Sequence, residues 1–146
     1  MKRLTALLLM VLGTCMVMSA QTDVAKVLGK LGTNRVSAAY DCTIIQNNIP
    51  VSLSGKAEVQ GNSFHLNGNG MEIYCDGEKL WYVDPESKEV YIENALLLDE
   101  YIKENIGAVK DIKLADVVYS EISDDLSAFR LDTAALDKSW VVTDLR

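Results

Sequence analysis

An alternation of apolar and polar residues, which begins at Arg35 and continues to Ile92, most constrains what this chain can fold into. Its runs are short, and segments rich in Asn, Gly, Asp and Pro separate them. A period of two places successive side chains on opposite faces of a β-strand, and Asn-Gly and Asp-Gly are typical of tight hairpin turns. The sequence therefore predicts six strands joined consecutively by short turns, which is an antiparallel meander.

Two helices are predicted beside this meander. Residues 22–31 carry apolar side chains at helical spacing, and Gly32 follows as a stop. Residues 95–106 form a second apolar stripe, for which Asn94 is a suitable N-cap. Further strands are expected around residues 112–122, 129–131 and 140–145.

A twisted sheet of about nine strands tends to curl, and this predicts an α+β fold with short helices over the concave apolar side. The candidate ligand-cavity residues on that side are Val36, Tyr40, Val51, Leu53, Val59, Phe64, Leu66, Met71, Ile73, Val90 and Ile92. The candidate lid residues, on the second helix, are Leu97, Leu98, Tyr101 and Ile102. Such a face either closes into a dry core or encloses an apolar ligand. Small residues on it, Ala38, Gly55 and Ala57, hint at unfilled space.

The first twenty residues have the order of a secretory signal peptide. Lys2 and Arg3 precede an apolar run, and small residues stand before Gln21. We therefore expect residues 1–20 to be removed on export and residues 21–146 to form a single domain. Cys15, in the segment LGTC, suggests an alternative in which a lipid is attached there, but Thr14 fits poorly before such a cysteine.

The charge of the chain limits its partners. The whole sequence has 14 basic and 21 acidic residues and a net charge of −7. Loss of Lys2 and Arg3 would leave 12 basic residues against the same 21 acids, which is a net charge of −9. An acidic exported domain repels phosphate backbones, so nucleic acid is excluded as a partner and a neutral, apolar or cationic one is expected.

Residues for catalysis or metal binding are scarce. His65 is the one histidine, and its strand position turns it away from the apolar face, so we expect a solvated or rim side chain. Cys42 and Cys75 lack metal-ligand spacing and either form a disulfide or remain buried thiols. The acids are scattered over strands and turns. We therefore expect no catalytic residue, no metal and no cofactor, and a protein that is not an enzyme.

One hairpin carries a resemblance to a known family. DG at residues 76–77, LWYVDP at residues 80–85 and EVYI at residues 89–92 follow one another in the order of the "DG..LW.YDP....V.I" hairpin of the LolA-like periplasmic lipoprotein carriers. The order of elements before it, a helix, a long strand and a strand–turn–strand, is similar as well. The resemblance covers residues 22–106 and is firmest over residues 55–94.

The resemblance implies an unclosed antiparallel β-barrel whose helices cover a hydrophobic cavity. It further implies a periplasmic carrier or chaperone that shields the acyl chains of lipoproteins, or a related amphiphile, for transfer towards the outer membrane. Its partners would be acylated lipoproteins or another lipid ligand, together with inner- and outer-membrane lipoprotein-sorting proteins. The alternative is an exported protein-interaction module that uses an exposed sheet face bearing Trp81 and Tyr91, without lipid cargo.

Overall fold

The computed structural model describes residues 21–95 and 108–146. These contain one α-helix, eight strands and two short 3-10 turns. The elements are α1 (Gln21–Lys30), β1 (Arg35–Gln46), β2 (Ile49–Gln60), β3 (Ser63–Gly68), β4 (Met71–Cys75), β5 (Lys79–Asp84), β6 (Glu89–Asn94), β7 (Val109–Ser120) and β8 (Val141–Asp144), with 3-10 turns at Ser127–Phe129 and Thr133–Ala135.

All eight strands belong to one sheet with the order β7-β1-β2-β3-β4-β5-β6-β8. The predicted six-strand meander is confirmed, since β1 to β6 are each paired antiparallel with the next strand. Strand β7 returns to pair antiparallel with β1, whereas β8 runs parallel to β6. The sheet therefore ends at β7 and β8 and does not close into a barrel. Because β8 runs parallel to β6, the sheet is not antiparallel throughout, which corrects the wholly antiparallel sheet that the resemblance implied.

Turn chemistry fixes the register of the meander. Asn47 and Asn48, between β1 and β2, both have positive φ, as do Asn69 and Gly70 between β3 and β4. Two-residue loops with positive φ at both positions match the twist of the strands they join, and Asn and Gly adopt this conformation at the lowest cost. The loops therefore set which residues face each other: Gln46 pairs with Ile49, and Gly68 pairs with Met71.

The two faces of the sheet are covered differently. The helix face is the side on which α1 packs. On β1 it carries every second side chain, including those of Val36 and Tyr40. The strap face is the opposite side, and it is crossed by residues 121–140, which connect β7 to β8 and which we call the strap. Because β7 and β8 are the two edge strands, the chain that connects them must cross one face of the sheet, and the strap crosses the strap face.

Polar contacts hold the first half of the strap. The guanidinium of Arg35 donates to Glu58 Oε1 at 2.7 Å and lies 4.8 Å from the ring centroid of the fully buried Phe129. The side chain of Gln60 forms two hydrogen bonds with the backbone of Ser123. Gln60 Nε2 donates to the Ser123 carbonyl at 2.7 Å, and the Ser123 N–H donates to Gln60 Oε1 at 3.0 Å. The strand predicted at residues 129–131 is wrong, because Phe129 ends a 3-10 turn that docks on Arg35 and pairs with no strand.

Apolar contacts hold the second half. Leu131, Leu136 and Trp140 of the strap pack against a buried cluster of β5 and β6. The members of that cluster are Trp81, Val83, Val90 and Ile92. Strand β5 is consequently buried on both faces, from Leu80 to Val83.

Asp76 connects the strap to the β4–β5 turn. Its Oδ1 accepts the backbone N–H groups of Glu78 and Lys79 at 3.0 and 2.8 Å, and its Oδ2 accepts Arg130 of the strap at 2.8 Å. Burial opposes ionisation of this side chain, which is 6 % exposed, but the two N–H groups and Arg130 outweigh burial and hold the pKa of Asp76 below its ordinary value.

We expect Asp76→Ala to lower the free energy of unfolding by about 1–3 kcal/mol at neutral pH, because two N–H groups and Arg130 lose their acceptor. A carboxyl with a lowered native pKa stabilises the fold above its unfolded pKa, and this contribution is lost as pH falls through the native value. The difference between variant and wild type should therefore shrink below about pH 4. Urea unfolding followed by tryptophan fluorescence at neutral and acidic pH measures both effects.

Asp84→Ala is the matched control. Asp84 also accepts two backbone N–H groups, from Glu86 and Ser87, but those bonds stay within its own exposed turn. We expect a smaller loss for this variant, and we expect Arg130→Ala to reproduce only part of the Asp76→Ala loss. Equal losses for the Asp76 and Asp84 variants would show that Asp76 stabilises only its turn and not the strap.

Candidate functional site

The helix face forms one apolar surface that runs across the sheet from β7 to β6. Its buried members are Tyr40, Cys42, Ile44, Leu53, Ala57, Val59, Phe64, Leu66, Ile73, Cys75, Leu80 and Tyr82. Partly buried side chains extend it to Leu114 on β7, Val51 on β2 and Tyr91 on β6. Most of these side chains are buried, so the helix face is part of the core in this structure, and it has little to offer a polar substrate.

Helix α1 covers one end of the helix face. Its Val27 and the following Leu31 lie over Ala38, Ala57 and Leu114, where a gap of about 10 Å³ remains. A gap of that size holds about one water-sized sphere and no acyl chain. Ala38 and Ala57, which suggested unfilled space in the sequence, are thus largely covered by α1. Among residues 21–95 and 108–146, α1 is the only α-helix on this face.

The sequence suggested that Gly55 leaves unfilled space on this face. In the structure, Gly55 instead allows two strands to approach closely. It pairs with Gly68, and a Cβ built on Gly55 would lie 1.8 Å from the carbonyl oxygen of Asn67. A Cβ on Gly68 would collide with the hydroxyl of Tyr40, which donates to the Asn67 carbonyl at 2.9 Å. Burial raises the pKa of Tyr40, so the phenol stays neutral and keeps donating. The glycines permit close strand approach beneath Tyr40.

The helix face also holds two thiols. Cys42 on β1 and Cys75 on β4 are both buried and are not joined in a disulfide. Their Sγ atoms lie 3.7 Å from the Leu53 carbonyl and 3.6 Å from the Asn62 carbonyl. Burial raises the pKa of Cys42 to about 12 and that of Cys75 to about 11, so both are protonated at neutral pH. Of the two alternatives left open by the sequence, the structure has the buried thiols.

The structure brings together nine of the eleven predicted cavity residues. Strand register places them on the helix face: Val36, Tyr40, Val51, Leu53, Val59, Phe64, Leu66, Met71 and Ile73. Seven of these are buried, while Val51 and Met71 are half-buried. Sequence reasoning missed Leu80, Tyr82 and Tyr91, which belong to the same cluster. The pairing of Cys75 with Leu80 carries the helix face from β4 into β5. In the sequence, the Asp-Gly turn between these two residues was the available signal.

The placement of Val90 and Ile92 on this face is wrong. Val90 pairs with Val83 and Ile92 with Trp81, and all four lie on the strap face. The prediction assumed a single apolar face, whereas the strap creates a second one. The predicted contact patch of Trp81 and Tyr91 is wrong for the same reason: the two lie on opposite faces, and Trp81 is buried under the strap. The predicted lid residues Leu97, Leu98, Tyr101 and Ile102 lie outside the described residues.

Polar groups collect on the strap face instead. His65 stacks on Tyr74 with ring centroids 4.1 Å apart, and its Nε2 lies 3.4 Å from Glu72 Oε1 without a hydrogen bond. An open cleft of about 400 Å³ runs past His65, with Lys56 and Asp116 among its walls. Burial and the adjacent Glu72 raise the pKa of Tyr74. In the described part of the chain, no three or more His, Cys, Asp or Glu side chains are grouped to hold a metal ion.

Comparison with known proteins adds no assignment. No protein-family model matches the chain, and no curated protein is similar to it in sequence. In residues 21–95 and 108–146 there is also no helix of sufficient length and hydropathy to cross a membrane. The candidate site therefore rests on the geometry of the helix face.

We expect Gly55→Ala to lower the free energy of unfolding by about 1–3 kcal/mol, because the added methyl group must push the Asn67 carbonyl away and separate β2 from β3. Denaturant unfolding followed by circular dichroism measures this. Gly29→Ala is the control, since a Cβ at this exposed position of α1 meets nothing within 4 Å and alanine favours a helix. A neutral Gly55→Ala would contradict the close approach of the two strands.

Proposed function

We propose that this protein is an exported, non-enzymatic carrier that shields lipoprotein acyl chains, or a related amphiphile, on its helix face for transfer towards the outer membrane. The observation that carries the proposal is the extent of that face. The face consists of apolar side chains from Leu114 on β7 to Tyr91 on β6, and the sheet that carries it is open. Helix α1 packs over the end formed by β7, β1 and β2. Among residues 21–95 and 108–146, no second α-helix covers the rest of the face.

The energetics favour such a cargo. Each methylene group removed from water is worth about 0.8 kcal/mol, so an acyl chain needs an apolar escort to cross an aqueous compartment. The helix face offers aliphatic, aromatic and thiol side chains that match this requirement. Both thiols are protonated and the Tyr40 hydroxyl is already bonded, so these groups bring no charge to the surface.

The border of the face at β6 suits an amphiphile. Tyr91 has its ring against the apolar cluster, and its hydroxyl donates to Glu89 Oε2 at 2.9 Å. This bond raises the pKa of Tyr91. Glu93 pairs with Leu80 and so shares the same side of the sheet. The apolar surface thus ends in polar and acidic side chains, next to which the polar head of a bound amphiphile can remain in water.

The finer parts of the proposal concern shape and setting. In it, the open sheet curls into an unclosed barrel around the acyl chain, with short helices over the concave side. Residues 1–20 direct export to the periplasm. Inner-membrane and outer-membrane sorting proteins deliver and accept the cargo. The hairpin at residues 76–94, which resembles that of the LolA-like carriers, supports these parts.

The test is binding of a fluorescent fatty-acyl probe to the purified protein. We expect saturable binding, and we expect Val51→Asp to weaken it about tenfold or more, because a charge on the helix face removes at least about 1.4 kcal/mol of the affinity. Val51 is half-buried, so the substitution can be made at the border of the core. Fluorescence titration gives the dissociation constants.

Val118→Asp is the matched control. Val118 pairs with Ser37 on the strap face and is 58 % exposed, so the same change of side chain there should leave probe binding unaltered. Circular dichroism verifies that both variants keep the sheet. Absence of probe binding by the wild-type protein, or equal loss in both variants, would overturn the proposed function.

A further inference from the structure

The two edges of the sheet are unequal. Strand β7 is interrupted by two bulges, where Asp111 and Asp116 take positive φ and the pairing with β1 shifts register. Lys110 and Lys113 are exposed along the same strand. Bulges and charged side chains are the features by which natural sheets prevent a further strand from pairing at an edge. The β7 edge is therefore protected.

The β8 edge has no bulge, and its charged side chains, Asp144 and Arg146, pair with each other. The N–H groups of Val141 and Leu145 donate to the carbonyls of Lys88 and Ile92 on β6 at 2.9 and 2.8 Å. Successive residues of a strand direct their backbone groups to opposite sides, so the N–H and C=O groups of Val142 and Asp144 point away from the sheet. These groups form a short, regular edge to which another strand can bind.

Apolar side chains are exposed along this same edge. Val141 is 57 % exposed, Val142 is 42 % exposed and Leu145 is 48 % exposed. Register with β6 places Val141 and Thr143 on the helix face, in line with Glu89 and Tyr91, and Val142 on the strap face. Leu145 follows the same alternation as Val141. A regular edge strand with exposed apolar side chains on both of its faces is suited to strand addition.

We propose that the β8 edge pairs antiparallel with β8 of a second copy of this chain, around a two-fold axis at Thr143. This register pairs Val142 of each copy with Asp144 of the other through two hydrogen bonds, so the outward backbone groups are satisfied. It also sets Val141 of one copy opposite Leu145 of the other, and Thr143 opposite itself. The exposed side chains of Val141 and Leu145 then cover each other, and a Thr–Thr pair is favourable between strands.

The strap face supports the same partner. In this register Trp140 of one copy lies opposite Arg146 of the other, and a guanidinium over an indole is a favourable contact. Within one copy, Arg146 is held by Asp144 through Oδ1 at 2.9 Å and Oδ2 at 2.5 Å. The segment from Trp140 to Arg146 is thus complementary to itself when reversed, which selects a second copy over an unrelated strand. This pairing does not depend on the proposed carrier function.

The first experiment measures oligomeric state by sedimentation equilibrium of the full chain. We expect a concentration-dependent dimer, which Val142→Pro abolishes, because the N–H lost at this position points outward and the pairing of β8 with β6 is kept. Val141→Lys should weaken the dimer at least tenfold by placing a charge opposite Leu145. Val118→Lys is the control, since Val118 is exposed to a similar degree, 58 %, on the β7 edge, and it should leave the dimer unchanged.

The second experiment tests the register. The Thr143 pair lies between hydrogen-bonded pairs, so its two Cα atoms should be about 4.5 Å apart, which is within the range of a disulfide. Thr143→Cys should therefore cross-link into a covalent dimer under mild oxidation, in a background where Cys15 is replaced by Ser. Cys42 and Cys75 are buried and should not compete. Val118→Cys should not cross-link in this way.

A wild-type chain that stays monomeric up to roughly 1 mM would overturn the proposal, since weaker pairing is not specific association. A dimer that persists in Val142→Pro, or one that Val118→Lys also abolishes, would place the interface elsewhere. Circular dichroism of each variant shows whether the sheet is intact. If Val142→Pro fails to fold, Val141→Lys and the Thr143→Cys cross-link decide the question.

Discussion

An open sheet with apolar side chains on both faces must have both faces covered, and the rest of this structure follows from that requirement. Helix α1 packs on one end of the helix face, and the strap crosses the other face. The strap can do so because it links β7 at one edge to β8 at the other. Three different contacts fix the course of the strap. The guanidinium of Arg35 packs over the ring of Phe129, the carboxylate of Asp76 accepts a hydrogen bond from Arg130, and apolar side chains of the strap pack around Trp81.

The amount of fold that the sequence predicts depends on how regular its pattern is. Alternation through β1 to β4, with Asn and Gly at the turns, was enough to predict the meander and the face of each side chain. Alternation fails at Leu80–Val83, where all four side chains are apolar and both faces are buried. Such a run does not indicate which residues of the next strand, β6, face the same side as those of β4. Val90 and Ile92 were therefore assigned to the wrong face. The strap has no periodicity, since its position is set by long-range contacts with Arg35 and Asp76.

The candidate site shows the same limit in its small residues. A glycine on an apolar face means either empty space or close approach of two backbones, and sequence alone does not distinguish them. Gly55 belongs to the second class, because Gly68 lies opposite it and Tyr40 fills the space above Gly68. The aliphatic residues were easier to predict, because their position on the face depends only on strand parity. The apolar face could thus be predicted from the sequence over β1 to β4, whereas its continuation onto β5 and β6 and its depth could not.

The two proposals are independent but geometrically compatible. A two-fold axis between antiparallel strands stands perpendicular to the sheet, so the helix faces of both copies would lie on the same side. Val141, Thr143 and Leu145 would then join one helix face to the other, across a border that in a single copy is marked by Tyr91 and Glu89. A cargo with more than one acyl chain could use the wider surface. If binding of the probe became tighter as the dimer formed, the two sites would be linked. If it did not, the β8 edge would serve assembly alone.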